Sequence, residues 1–178
     1  MNTGYFRQLA HYNAWANRRI YAAAAELSDG ERKAKRSSFF GSIHATLNHI
    51  LVGDRVWLCR LMARPLGRVV CKPDTITALD QELYADFTVL QAARVSEDER
   101  LIAVVDSFEE ADLADGLTYR NMAGQDKRSP MVQVLAHLFN HQTHHRGQVH
   151  GLLSATTVAP PSLDMIQFSW AEPAAPAR

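Results

Sequence analysis

The sequence predicts an all-α protein that folds as an antiparallel four-helix bundle, with a small β-hairpin excursion before the last helix. Four long stretches repeat apolar residues at three- and four-residue spacing, which is typical of amphipathic helices. No stretch has the pattern of a central strand, and the 178 residues contain no internal repeat. Such bundles commonly build metal sites from side chains on facing helices.

The first two helices are predicted from the spacing of their apolar residues. The first covers residues 3–27 and ends at the Ser-Asp-Gly sequence at 28–30. After a basic loop at 31–36, Ser37 or Ser38 is the expected cap of a second helix, which extends to about Met62. Because this second helix is apolar on two sides, we expect it to be largely buried.

A third helical pattern covers residues 77–106. Its core positions are expected at Leu79, Leu83 and Phe87 and at later apolar residues. Ser96 and Glu99 have the form of a capping box, so the helix either continues through Ser96 or restarts there.

A turn-rich segment precedes the last helix. Residues 117–120 and 125–127 flank the Asn-Met-Ala-Gly sequence at 121–124, a pattern typical of a small two-stranded hairpin. Ser129 as cap and Pro130 at the first helical position then predict a last helix that extends to about residue 156. We expect one domain over residues 1–170 and a disordered tail over residues 171–178.

Composition limits the classes of function. The chain has 19 basic and 19 acidic residues and a net charge of zero, so it lacks the basic surface of a nucleic-acid-binding protein. The N-terminal sequence has no signal-peptide pattern, and no run approaches eighteen apolar residues, so no membrane segment is expected. Cys59 and Cys71 are too few for a disulfide framework, and we expect both to be reduced. These features together predict a cytoplasmic protein.

The last helix is rich in histidine, with five of the eight histidines within fourteen residues. Residues four apart lie on one face of a helix, so His137 with His141, or His141 with His145, could bind one metal ion. On a helical wheel with His137 at zero, the apolar stripe centres near about 110°, His145 lies near about 80° and His141 near about 40°. The inward pair is therefore His141 and His145, whereas His137 and His144 lie at the edge of the apolar face.

A third ligand is needed for a typical catalytic site, and helical periodicity leaves its identity open. The second helix offers His44 and His49, and the first offers His11. Gln148 is either a hydrogen-bonding partner of a ligand or a polar residue at the edge of the bundle. Asp54, within an apolar stripe, either orients a ligand histidine or pairs with an arginine.

Other residues of these helices are interpreted as structural. Arg146 points away from the apolar stripe and is expected at the surface or at a helix end. His11, His44 and His150 are interpreted as residues that do not bind metal. Trp15 and Trp57 are more typical of a core than of a pocket.

Three motifs occur along the chain in a fixed order. They are YNAWAN at 12–17, LNHIL at 47–51 followed by Asp54, Arg55 and Trp57, and NHQTHHRGQ at 140–148. Together they resemble the DinB family, also called the DinB/YfiT-like metalloproteins, over nearly the whole chain. This resemblance implies a four-helix bundle whose divalent metal is held by three histidines, here His49, His141 and His145.

The resemblance implies a metal more firmly than a reaction. Better understood relatives include transferases and an isomerase that use a low-molecular-weight thiol, and many members have no assigned activity. Three neutral imidazoles suit zinc, nickel, iron or manganese, and the bound ion would favour a thiolate or hydroxide nucleophile. We therefore expect a metal-dependent enzyme of thiol S-transferase or hydrolase type that acts on a small molecule. The alternative is a non-catalytic, stress-related metal-binding or interaction module.

The sequence also allows self-association. The apolar segment at 163–170 and the near-neutral charge are compatible with a homodimer packed through helix faces.

Overall fold

The computed structural model describes residues 1–64 and 76–171, and it confirms an all-α four-helix bundle with a small hairpin. The four long helices are α1 (Thr3–Ala25), α3 (Ile43–Met62), α4 (Phe87–Asp106) and α6 (Met131–Leu153). The shorter elements are the helices α2 (Asp29–Lys33), α5 (Glu110–Leu113) and α7 (Met165–Ala171), and the strands β1 (Gly116–Arg120) and β2 (Asp126–Pro130).

Each long helix packs against two others, in the cyclic order α1, α4, α3, α6. Contacts between side chains give the relative directions of these helices. Thr3 bonds Glu110 and Asn17 bonds Asp98, so α1 and α4 are antiparallel. Likewise α3 and α6 are antiparallel, because His49 meets His145 and Trp57 meets His137. By contrast α3 runs parallel to α4, and α1 runs parallel to α6.

The parallel pair α3 and α4 requires a connection that returns along the bundle. A 20-residue helix is about 30 Å long, so the chain after α3 has to travel back over that length before α4 begins. Its described part starts with Ile76, which packs on Val52 and Val56, and it reaches the start of α3 at Tyr84. The predicted helical start at residue 77 is therefore wrong, and α4 begins at Phe87 with Asp86 as its cap.

Other predicted helix boundaries also shift. Ser42, and not Ser37 or Ser38, caps α3. The predicted basic loop overlaps α2, whose cap Ser28 forms a capping box with Glu31. Of the two alternatives left open at Ser96, the structure shows the continuous helix, because α4 passes through that residue.

The hairpin and the last long helix occur where the sequence predicts them. The strands β1 and β2 are antiparallel, with Leu117 opposite Ser129, and Gly124 takes the positive φ of 79° that their turn requires. Pro130 is the N-cap of α6, so Ser129 belongs to β2 instead of capping the helix. The predicted disordered tail lies outside the described residues except for Ala171, which ends α7.

The expectation of two reduced cysteines is wrong for Cys59, which is disulfide-bonded. Cys71 lies outside the described residues. No helix in residues 1–64 or 76–171 is both long enough and apolar enough to cross a membrane.

A layer of buried polar side chains lies inside the bundle. Arg146 is 2% exposed, so its predicted surface position is wrong. Its Nη1 donates to the side-chain oxygens of Asn13 and Asn17 on α1, and also to that of Gln142. The wheel of apolar residues missed Arg146 because α6 also packs against α1, and there it buries a hydrogen-bonded guanidinium instead of an apolar side chain.

Candidate metal centre

Three histidines from two antiparallel helices meet at one point in the bundle. The Nε2 atom of His49 on α3 lies 3.1 Å from Nε2 of His141 and 3.2 Å from Nε2 of His145, both on α6. Their ligand atoms all lie within 4.8 Å of one another. The structure thus brings together the three histidines that the resemblance implied as metal ligands.

The outer nitrogens fix the tautomers of two of these rings. His49 Nδ1 lies 2.7 Å from the carbonyl oxygen of Leu79, which can only accept a hydrogen bond. His145 Nδ1 lies 2.9 Å from Oε1 of Gln148, which is likewise an acceptor. Since each Nδ1 donates, the neutral rings present unprotonated Nε2 atoms to the shared point. The Nε2 atoms of His49 and His145 are 3.2 Å apart, so their lone pairs repel each other unless a positive charge lies between them.

All three imidazoles are held in the neutral form. Burial lowers the pKa of His49 and His145, and the neighbouring histidines add to the effect at His145. Burial and the repulsion of the surrounding histidines lower the pKa of His141 to about 3. A neutral imidazole is the form that binds a metal ion, so the rings are ready to act as ligands near pH 7.

The donor set and its spacing fit a divalent metal ion. Metal–nitrogen bonds of about 2.1 Å place two nitrogen ligands of one ion roughly 3.0–3.4 Å apart, which includes both nitrogen distances measured at His49. Three imidazoles leave further coordination positions open, as in catalytic sites. Among residues 1–64 and 76–171, no other group of three His, Cys, Asp or Glu side chains converges in this way.

Gly53 makes room for His141 on the facing helix. A Cβ atom at residue 53 would lie 2.7 Å from Cε1 of His141, far inside van der Waals contact. A side chain here would push the ring away from His49, which lies one turn earlier on α3. Phe40 stacks on the His49 ring, with ring centroids 3.9 Å apart.

The structure places Gln148 behind the cluster. Its Oε1 accepts from His145, and its Nε2 donates to Nε2 of His144 at 3.1 Å. The sequence left two roles open for Gln148. The observed hydrogen bond to His145 is the one expected of a partner to a clustered histidine. His144 is exposed, and His137 packs edge-to-face against Trp57 with ring centroids 5.2 Å apart, so neither joins the cluster.

Asp54 is fully buried and pairs with arginine, which was the structural alternative for this residue. Its carboxylate accepts from Arg94 and from Gln142, and it contacts none of the three clustered histidines. Burial raises the pKa of Asp54 to about 7, while the charge of Arg94 opposes that rise. Gln142 lies next to His141 in the chain, so its hydrogen bond to Asp54 holds the helix turn that carries the His141 ring.

The remaining histidines lie outside the cluster. His44 is buried and its Nε2 donates to the carbonyl oxygen of Tyr84 at 2.8 Å, which makes it a link between α3 and the following segment. His11 is exposed, and His150 lines a separate cleft beside α7.

A cavity of about 400 Å³ opens beside His49 and His141. It lies between α3, α6 and the tip of the hairpin, and its size is within the range of about 300–1,000 Å³ that is usual for small-molecule sites. Trp57, interpreted from sequence as a core residue, forms part of its wall. The sequence did not reveal that the hairpin residues Tyr119 and Met122 also line the cavity, because no local pattern links them to the histidines.

Comparisons with known proteins agree with this arrangement. The family model described as the DinB family matches residues 1–177. The protein DinB of Bacillus subtilis (strain 168) is 24% identical over 146 residues, which cover 82% of this chain and 83% of that protein. The crystal structure of a DinB-like protein from Bacillus cereus ATCC 10987 has a similar fold, with a TM-score of 0.60 at 16% identity, and the match covers 83% of this chain and 89% of that one.

Proposed function

This chain belongs to the DinB family, and from that premise we propose that it binds a divalent metal ion through His49, His141 and His145. We further propose that it is a metal-dependent enzyme of thiol S-transferase or hydrolase type acting on a small molecule. The observation that carries the metal proposal is the convergence of three Nε2 atoms, two of them with fixed lone pairs, at a single point.

The side chains of the site have distinct tasks in this proposal. His49, His141 and His145 would hold the ion, and Leu79 and Gln148 keep two of the rings in the correct tautomer. When bound, the ion would lower the pKa of a coordinated water or thiol. Phe40 covers one face of the His49 ring, and the cavity lined by His49 and His141 would admit the substrate.

The open cavity favours an enzyme over a non-catalytic metal-binding or interaction module. A purely structural metal site is usually closed by four protein ligands, whereas this cluster offers three histidines beside a cavity. Three imidazoles are compatible with zinc, nickel, iron or manganese, and a low-molecular-weight thiol is a suitable co-substrate because a metal ion favours its thiolate form.

The proposal also includes a cytoplasmic homodimer. Ile166 and Trp170 on α7 are 57% and 71% exposed, an apolar pair that self-association would cover. Light scattering of the purified protein tests this part, and a monomer at all concentrations would exclude it.

Elemental analysis of protein purified without a histidine tag tests the metal site. We expect close to one divalent ion per chain in the wild type, and loss of that ion in His49→Ala, His141→Ala and His145→Ala. His11→Ala is the matched control, because His11 is exposed and is not part of the cluster. Retention of the metal in the three cluster variants would refute the ligand assignment.

Turnover of the metal-loaded protein tests the enzyme proposal. We expect activity with a panel of thiols and electrophilic or ester substrates, and its loss in His141→Ala. A fully loaded wild type that turns over no member of the panel would favour the non-catalytic alternative.

A further inference from the structure

The cavity beside the histidine cluster has an arginine in its wall. His49 and His141 line one part of the cavity, and Arg60 and the hairpin tip line another. Between them the wall is mainly apolar, with Val56, Trp57, Leu79 and Met122. A ligand in this space therefore meets the proposed metal site and a fixed positive charge.

Arg60 is buried and held in place by two aromatic rings. The residue is 5% exposed, and its guanidinium carbon lies 4.6 Å from the centre of the Trp57 ring and 4.9 Å from that of Tyr119. Its Nη2 donates to the carbonyl oxygen of Arg120 at 3.1 Å. These contacts fix the guanidinium before any ligand arrives, as a preorganised binding group requires.

The charge of Arg60 has no acidic partner among the residues that the structure describes. Buried Arg94, in contrast, pairs with both Asp54 and Asp98. A guanidinium has five N–H donors, and in the described chain Arg60 makes the single hydrogen bond to Arg120, while its buried Nε has no acceptor. A buried cation without a counter-ion is unfavourable, so the site is suited to an anion supplied from outside.

The position of Arg60 on α3 directs it toward the same cavity as the histidines. His49, Gly53, Trp57 and Arg60 follow one another at spacings of four, four and three residues, so they share one helix face. The rise from residue 49 to residue 60 is about 16 Å, and long side chains lean toward the helix N-terminus, which brings the guanidinium nearer to the histidines.

We propose that this cavity binds an organic carboxylate, with its apolar body between Trp57 and Met122 and its carboxylate on Arg60. The other end of the ligand then faces His49 and His141, where the proposed metal would act on it. Carboxylates are thus a substrate class for the proposed function, and the inference rests on that function only for the reaction at this other end. The anion site itself is formed by Arg60 and the aromatic rings.

Binding of 3-phenylpropionate and of its neutral analogue 3-phenylpropionamide tests the proposal. Titration calorimetry is done on the protein as purified and again after chelation, because in chelated protein no metal competes for the carboxylate. We expect the wild type to bind the carboxylate at least about tenfold more tightly than the amide in both states, as a charge-assisted hydrogen bond implies. Arg60→Met is expected to lose this preference and to keep its metal content.

Arg120→Met is the matched control. It removes a positive charge from the nearby hairpin, where Arg120 pairs with exposed Asp126, and it keeps the backbone carbonyl that holds Arg60. We expect this variant to keep the preference for the carboxylate. Loss of the preference in both variants would overturn the proposal, because the effect would then come from overall charge.

The outcomes separate this inference from the proposed function. If the protein contains no metal as purified and binds none when metal is added, a carboxylate preference that depends on Arg60 supports the anion site and refutes the metal proposal. A metal-bound wild type without the preference, or an Arg60→Met variant that retains it, overturns the anion site alone.

If Arg60→Met does not fold, the second measurement is the NMR resonance of the Trp57 indole in the wild type, assigned with Trp57→Phe. We expect this resonance to shift when 3-phenylpropionate is added and not when 3-phenylpropionamide is added. Equal shifts with the two probes would overturn the proposal.

Discussion

Gly53 decides how closely the His141 ring approaches α3. Because a Cβ atom there would lie 2.7 Å from the ring, we expect Gly53→Ala to displace His141 and to weaken metal binding at least about tenfold. The substitution should otherwise suit the helix, since alanine is favoured over glycine there by about 1 kcal/mol. Metal titration and thermal unfolding of the metal-free variant measure the two effects separately.

Gly147→Ala is the control for Gly53→Ala. Gly147 is also within a long helix, but a Cβ atom there would meet no atom within 4 Å. We expect it to raise the free energy of unfolding by up to about 1 kcal/mol and to leave the metal affinity unchanged. Equal metal affinity in the two variants would show that metal binding does not depend on the space that Gly53 leaves for His141.

Gln148 acts on the site through His145. Its Oε1 accepts from Nδ1 of His145, so it holds the ring orientation and tautomer without reaching the shared point itself. We expect Gln148→Ala to reduce metal affinity about 10–100-fold, which is usual for loss of an outer partner of a histidine ligand. Gln133→Ala, at an exposed position of the same helix, is the control for competition titrations with a chelator. If Gln148→Ala binds metal as tightly as the wild type, Gln148 is only a polar residue at the edge of the bundle.

At the scale of elements, Asn48 holds the segment that returns along α3. Its Oδ1 accepts from the backbone N–H groups of Leu83 and Tyr84 at 2.9 and 3.0 Å, and its Nδ2 donates to the carbonyl oxygens of His44 and Tyr84. The same segment brings the Leu79 carbonyl to His49. The asparagine of the LNHIL motif thus fixes backbone geometry, while the adjacent histidine belongs to the cluster.

We expect Asn48→Ala to lower the free energy of unfolding by about 2 kcal/mol, because it leaves two part-buried N–H groups without their acceptor. It should also weaken metal binding, since the Leu79 carbonyl loses its support. Denaturant unfolding and metal titration measure both effects. Asn121→Ala removes two exposed turn hydrogen bonds and is the control. Similar losses in the two variants would mean that Asn48 does not hold the segment.

The sequence and the structure differ most at this returning segment. Leu79 and Leu83 have helical spacing, but the backbone between residues 77 and 86 bonds to Asn48 and His49 instead of forming a helix. Local spacing could not reveal this, because the need for a return connection arises only from the parallel packing of α3 and α4.

At the scale of the whole molecule, a buried polar network links all four long helices. Arg94 on α4 pairs with Asp54 on α3 and with Asp98, and Asp98 accepts from Asn13 and Asn17 on α1. Arg146 and Gln142 join α6 to the same group. Because each buried charge depends on a partner from another helix, the network favours one arrangement of the bundle.

We expect Asp54→Ala to lower the free energy of unfolding by about 3–5 kcal/mol, because Arg94 and Gln142 lose a buried acceptor. Asp126→Ala breaks an ion pair with Arg120 on the exposed hairpin and should have little effect, since water screens that pair. Denaturant unfolding of both variants at pH 7 checks the contrast. Comparable small losses would show that the buried pair contributes no more than the exposed one.

The sequence by itself determined the four-helix bundle, the hairpin and the inward faces of His141 and His145, because these follow from periodic spacing along single elements. The motifs then pointed to His49 through a family resemblance, which spacing alone had left open beside His44 and His11. Only the tertiary structure decided that Arg146 is buried, that residues 77–86 follow α3 without forming a helix, and that Arg60 lines the cavity. Those features depend on which helices pack together and in which direction, and a helical wheel does not contain that information.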